Sequence, residues 1–348
     1  MSNCKTQILG YIPVLLPHIT ERDLLIGSFT HGVEELINLI NNISIKFQND
    51  FESSLNAILK KDINDFPIYK KIWEGRPSPF YDFWFLEISI ALEFSKTDVE
   101  NYIGDFFNNS FSVKQELYKT IAAGKIEKTL NDLLLALNIA KSGLITTSKG
   151  KVLYDNTVMY SDIKGTHNYL FDAKQIADDQ GWPETYDLKI ETVWNYLTSF
   201  VFFNIGFGEG PIGRAIAAMT YLLKNEFKEV VESISLDMIW ILIGLEALYG
   251  KGSVGSKNQL IEKSRTFLGE PNKNKKSLGK SYDLRSRVIH GDIDIPFSYC
   301  PFHGLEKYEK LSSDMEDARF ISTAILLSSL QKLVKENKRS LEFKYHII

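Results

Sequence analysis

The stretch SYDLRSRVIHGD, residues 281 to 292, places Arg285, Arg287 and His290 within six positions and then stops at Gly291. A helix that only packs has no use for all four at once. Imidazole is the side chain whose unperturbed pKa lies nearest neutrality, so His290 is suited to take or give a proton. A guanidinium grips phosphate oxygens through a planar fork of donors, which suits an arginine to hold the group being acted on. Ser286 and Tyr282 add hydroxyls able to donate to a phosphate, although Tyr282 reads more readily as core. Upstream, Glu246 sits in the otherwise apolar run MIWILIGLEALYG, where an unpaired carboxylate is costly. It needs a cation, and Arg265, Arg285 and His290 are the candidates. The carboxylate either orients the reactive pair or forms a structural ion pair with Arg265.

These groups must be carried by a helix that ends at Gly291. Glycine permits the left-handed turn that closes many helices, which puts His290 in the last turn. Asp283 precedes Arg287 by four, the favoured order for a helical ion pair. On this reading Arg287 is structural and Arg285 is left for phosphate. Positions five apart lie about 140° apart around an ideal helix. Arg285 and His290 therefore meet at one point only through the reach of the arginine or an unwound last turn.

The 348 residues are enough for two domains. Apolar residues recur at helical spacing in VEELINLINNISIKF, FWFLEISIALEF and IEKTLNDLLLALNIA, which predicts a mostly helical first domain with a break at RPSPFYD. The run GLITTSKGKVLYD predicts a small β-hairpin turning at Ser148, Lys149 and Gly150. A polar stretch follows, and the boundary is read at residue 186, giving domains 1–186 and 187–348. The second shows six helical patterns, LKIETVWNYLTSFVFF, PIGRAIAAMTYLLKNEF, LDMIWILIGLEALYG, SKNQLIEKSRTFLG, GKSYDLRSRVIH and DMEDARFISTAILLSSLQKLVKEN. Linked by polar, glycine-bearing segments, they predict an all-α bundle. The fold class is mainly α.

With 44% hydrophobic and 24% charged residues, wholesale disorder is excluded. The net charge of -4 offers no global attraction to nucleic acid, so any such contact needs a local patch. One lies between Lys251 and Lys280, where eight Lys or Arg face only Glu262 and Glu270. From it Lys263, Arg265, Lys273, Lys275, Lys276 and Lys280 are read as polyanion contacts. Two cysteines, Cys4 and Cys300, do not make a disulfide framework and point to a reducing cytoplasm. The run ILGYIPVLLP, broken by Pro13 and Pro17, does not read as a signal peptide. The longest apolar run falls short of the roughly 20 residues a membrane span needs. GFGEGPIGR, residues 206 to 214, lacks the strand and the Lys-Ser/Thr of a nucleotide loop and reads as a turn into a helix. Cys300 and His303 lack a second pair, and Asp292 and Asp294 read as solvated turn residues, so neither a metal nor a cofactor is expected.

Arg-x4-His in a late helix, preceded by Tyr-Asp-Leu and ending in His-Gly, resembles the signature of HEPN domains. It is most similar to the Apea-like HEPN branch, where a YDLRS…HG stretch follows a LEALY-type helix and a helix containing an arginine. Here those elements are IGLEALYG with Glu246 and LIEKSRTFLG with Arg265, so the resemblance covers about residues 210 to 335. It implies a HEPN-type helical bundle acting as a homodimer and as a metal-independent endoribonuclease. In that role His290 is the general base or acid and Arg285 holds the scissile phosphate, with Glu246, Ser286, Tyr282, Asp283 and Arg287 in support. Each chain supplies one motif histidine, whereas internal attack by the 2′-hydroxyl needs a base and an acid, so a second copy must complete the site. The setting this implies is bacterial defence or stress response, with RNA as partner and a sensor or antitoxin as a further one. The alternatives are a non-catalytic RNA-binding and dimerisation scaffold, or a toxin component controlled by an antitoxin.

Overall fold

The computed structural model describes residues 4–17, 22–46, 52–60, 81–94, 111–144, 146–147, 151–154, 157–159, 169–223, 230–250, 256–271, 277–290, 292 and 306–343. The chain is mainly helical and divides into two compact units. One is Met1–Leu134 with Ile145–Gly165; the other is Leu135–Leu144 with Thr166–Ile348.

The first unit corrects the expectation of a mostly helical domain. Its elements are β1 (Cys4–Pro17), α1 (Arg22–Asn41), β2 (Ser44–Lys46), β3 (Glu52–Lys60), β4 (Tyr81–Phe94), α2 (Phe111–Ala140), β5 (Thr146–Thr147), β6 (Lys151–Tyr154) and β7 (Thr157–Met159). The strands form one sheet in the order β2-β3-β4-β1-β6-β7, with β5 also on β1. FWFLEISIALEF belongs to β4, whose fourteen residues pair antiparallel with all of β1, from Cys4 opposite Phe94 to Pro17 opposite Tyr81. That run is apolar at nearly every position and so fits a helical stripe and a buried strand alike. Its aromatic and β-branched residues favour the pleated surface once a partner strand exists. On its other edge β1 pairs with β6 over Ile8–Tyr11 and with β5 over Val14–Leu15. Pro13, which has no N–H to donate, falls between the two. The expected hairpin also shifts by one strand. Both β5 and β6 pair with β1, and the tight pairing is β6 with β7, where Tyr154 lies opposite Thr157.

The second unit is helical as its periodicity predicts. It holds the end of α2, then α3 (Tyr169–Gln180), α4 (Ile190–Thr198), α5 (Val201–Asn204), α6 (Gly210–Leu223), α7 (Val230–Tyr249), α8 (Ser256–Leu268), α9 (Ser277–Ile289) and α10 (Glu306–Lys335). Every residue of α10 from 321 to 331 is buried, so this helix must be surrounded. Its neighbours include α3, α7, α8 and α9. Gly244 lets α7 come close, since a Cβ there would stand 3.0 Å from Leu326 and 3.2 Å from Ala218. Ala173 and Ala177 of α3 pack on Ala324.

Gln331 explains why Leu135–Leu144 belongs here. Its Nε2 donates to the carbonyls of Ile139 at 2.8 Å and Tyr186 at 2.9 Å, and its Oε1 accepts from the Tyr186 N–H at 2.9 Å. Lys141 adds an ion pair with Asp187 at 2.8 Å. The boundary read at residue 186 therefore lies inside the second unit, because α3 and the 186–188 segment are both fastened to α10 or its neighbours.

Candidate functional site

Helix α9 carries the motif and is fixed on two sides. Leu278 and Ser281 are buried, and the Ser281 hydroxyl donates to the Ala318 carbonyl of α10 at 3.3 Å. Gly279 admits α8, because a Cβ there would touch Ile261 and the Lys257 stem at 3.4 Å each. One turn on, the Lys257 amine reaches Asp283 at 2.5 Å. At the far end the His290 N–H donates to the Ser286 carbonyl at 2.9 Å, and the Asp292 N–H reaches back to Arg287 at 2.8 Å. The second of these is the six-residue bond of a Schellman ending, the termination expected around Gly291, which itself lies outside the described residues. His290 stands exposed at this end.

The expected pair of Asp283 with Arg287 is not formed. Asp283 is taken by Lys257, a residue of another helix that no spacing along α9 reveals. Arg287 is exposed. Lys280, Asp283, Arg287 and His290 follow one another at steps of three, four and three and are all exposed, so they make one row along α9. The Arg285 side chain lies outside the described residues. Ser286 and Tyr282 are half-buried. Glu246 is half-buried on α7 and is not a free carboxylate.

The basic patch separates into different uses. Lys263 is 5% exposed, which removes it from any RNA surface. Its amine donates at 2.9 Å to the Tyr249 carbonyl in the last turn of α7 and at 2.9 Å to Gln259, and it lies 5.5 Å from the Phe343 ring. A cation at a helix C-terminus meets the negative end of the dipole and an orphan carbonyl, which accounts for its burial. Lys332 serves α8 likewise, donating to Phe267 at 2.6 Å. Arg265 lies 3.9 Å from Glu270, so it does not face a ligand uncompensated. Lys280 is exposed, and Lys273, Lys275 and Lys276 lie outside the described residues.

Among the described residues the most buried charge lies elsewhere. Asp237 of α7 is 1% exposed and pairs with Arg319 of α10 at 3.4 Å. Asp172 of α3 reaches water, yet burial by the surrounding protein pushes its carboxyl above the usual 3.8, with the Arg319 guanidinium pulling the other way. Tyr249 shares a 2.6 Å hydrogen bond with Ser329, and burial raises its phenol far above the ordinary tyrosine range.

In GFGEGPIGR Gly208 and Gly213 serve packing, while Gly206 and Gly210 take the positive φ of the turn. A Cβ on Gly208 would stand 2.8 Å from Ala217 and 2.9 Å from the Gly213 carbonyl, and Pro211 lies in the first turn of α6. Among the described residues no three His, Cys, Asp or Glu side chains gather to hold a metal ion, and no helix is long and apolar enough to cross a membrane. No protein-family model, curated protein or solved structure matches the chain.

Proposed function

We propose that the protein is a metal-independent endoribonuclease of HEPN type, acting as a dimer in the bacterial cytoplasm in defence or stress response. The observation that supports this most is the exposure of His290 at the end of α9, directly after the arginine-bearing turns of the motif. An imidazole at that position is open to a substrate. In the reaction the ribose 2′-hydroxyl attacks phosphorus as the bond to the 5′ oxygen breaks, leaving a cyclic phosphate and a free 5′-hydroxyl. His290 takes the 2′ proton, and His290 of the partner subunit gives a proton to the departing oxygen. Acid and base work of this kind contributes about 10² to 10⁴-fold each. The first unit would sense a trigger or select the RNA, alone or with a sensor or antitoxin partner.

The test is incubation of the full chain with mixed single-stranded and structured RNA in EDTA, beside Arg285→Ala and His290→Ala. Cleavage that survives EDTA and disappears with His290→Ala supports the reading. Absence of cleavage, or activity indifferent to His290, refutes it, and binding without cleavage would favour a scaffold. Solution mass tests the dimer, and a strict monomer at micromolar concentration would contradict a composite site.

A further inference from the structure

From Leu236 onward helix α7 has no polar side. At about 100° per residue its outward residues, Leu236, Ile239, Trp240, Ile243, Glu246 and Ala247, form one arc of about 120°. Leu236 is exposed and the other five are half-buried, while the opposite arc is buried throughout. Glu246 is the one charge among the six. A helix at a protein surface ordinarily turns polar residues outward. Its neighbours do so: α8 exposes Asn258, Glu262 and Thr266, and α9 exposes Lys280, Asp283, Arg287 and His290. A helix apolar on all sides is ordinarily enclosed, so the outward arc of α7 calls for a cover.

The face continues onto α6. Tyr221, 52% exposed, stacks on Trp240 with ring centroids 4.4 Å apart. One turn earlier Ala217 lies under Gly208, and the loop that carries Gly208 exposes Ile205 and Phe207 at 68% and 69%. An aromatic side chain spans about 150–250 Å², so Phe207 and Tyr221 leave about 200–300 Å² open, and the aliphatic residues bring the apolar surface to about 500 Å². A standard interface removes about 800 Å² from each partner, of which about 56–65% is apolar, so about 500 Å² is what one copy must offer.

We propose that this face is where a second copy of the chain docks. In a two-fold pair the same patch meets itself, and an apolar patch is its own complement. On α6 and α7 it holds Arg214 and Glu246, one charge of each sign, so two copies meet there without net repulsion. Ser281 of α9 meets Ala318 and Asp237 of α7 meets Arg319, so the face begins at the level of α10 where the motif helix also lies. A copy seated there is the one that would bring the partner's His290, a consequence that rests on the ribonuclease reading; the face itself does not.

Sedimentation of the full chain over a dilution series reads the dimer, and thermal melting checks each fold. Tyr221→Glu and Leu236→Glu place a carboxylate at exposed positions, which spares the monomer. Each should raise the dimer dissociation constant about 10²-fold, the effect of sealing one unpaired charge in an interface. Tyr221→Ala removes area without adding charge and should raise it about tenfold. Thr266→Glu, on the polar side of α8, should leave it unchanged.

A wild type that is monomeric at micromolar concentration overturns the proposal, as does a dimer indifferent to every change at Tyr221 and Leu236. RNA cleavage in EDTA, read on the same variants, separates the face from the chemistry. Cleavage lost together with the dimer supports both. A dimer that dissociates as expected but never cuts RNA keeps the face and refutes the nuclease. Cleavage undiminished in the dissociated variants keeps the face and refutes the composite site. Cleavage through His290 by a dimer that ignores these variants does the reverse.

Discussion

Helices α9 and α10 touch where Ser281 meets the Ala318 carbonyl, yet they put polar residues to opposite uses. On α9 the row of Lys280, Asp283, Arg287 and His290 faces water. On α10 Ser322, Thr323, Ser328, Ser329 and Gln331 are sealed inside. Polar groups in the interior hold the unit together or strain it, because each lost hydrogen bond there carries a desolvation penalty. Polar groups on the α9 row add little to stability, so a change there is free to alter what the protein binds. The contrast separates residues that make the fold from residues the fold presents.

The largest expected effect lies inside. Replacing buried Asp237 with Ala leaves the largely covered Arg319 beside the gap and should cost about 3 kcal/mol. Thermal unfolding would show it, and a concurrent Arg319→Leu should recover much of the loss. Gln331→Ala follows, at about 2–3 kcal/mol, since it strips partners from two carbonyls and one N–H; a lower denaturant midpoint at unchanged slope is the expected signature.

Asp172→Asn works in the other direction and depends on pH. Its carboxyl titrates above 3.8 when folded and so holds its proton more tightly in the native state. Stability therefore falls as pH rises from the ordinary value through the folded one. The asparagine variant should melt higher than wild type at pH 7, and the advantage should vanish below the ordinary carboxylate pKa. A constant difference across that range would remove Asp172 from the account.

Smallest of all, Arg287→Ala and His290→Ala should shift stability by no more than about 0.5 kcal/mol. A large drop in melting temperature for either would erase the contrast between the two helices.

What could be read beforehand follows from how far each interaction reaches along the chain. The six helical patterns of the second domain were visible because their period is local, and Gly291 marked the end of α9 for the same reason. The β1 and β4 pairing was not, because FWFLEISIALEF takes its conformation from a strand far upstream. Lys257 was counted in the basic patch, but nothing within α9 shows that it would displace Arg287 from Asp283. Lys263 was miscounted as a ligand contact because composition registers its charge and not the helix-end carbonyl that buries it.

Gln331 also imposes an order on synthesis. The carbonyls at 139 and 186 leave the ribosome long before the amide that binds them, and must wait, solvated, for helix α10 to arrive. The second unit thus cannot finish folding in stages before α10 has emerged, and a helper that shields those waiting segments would act until residue 331 leaves the ribosome.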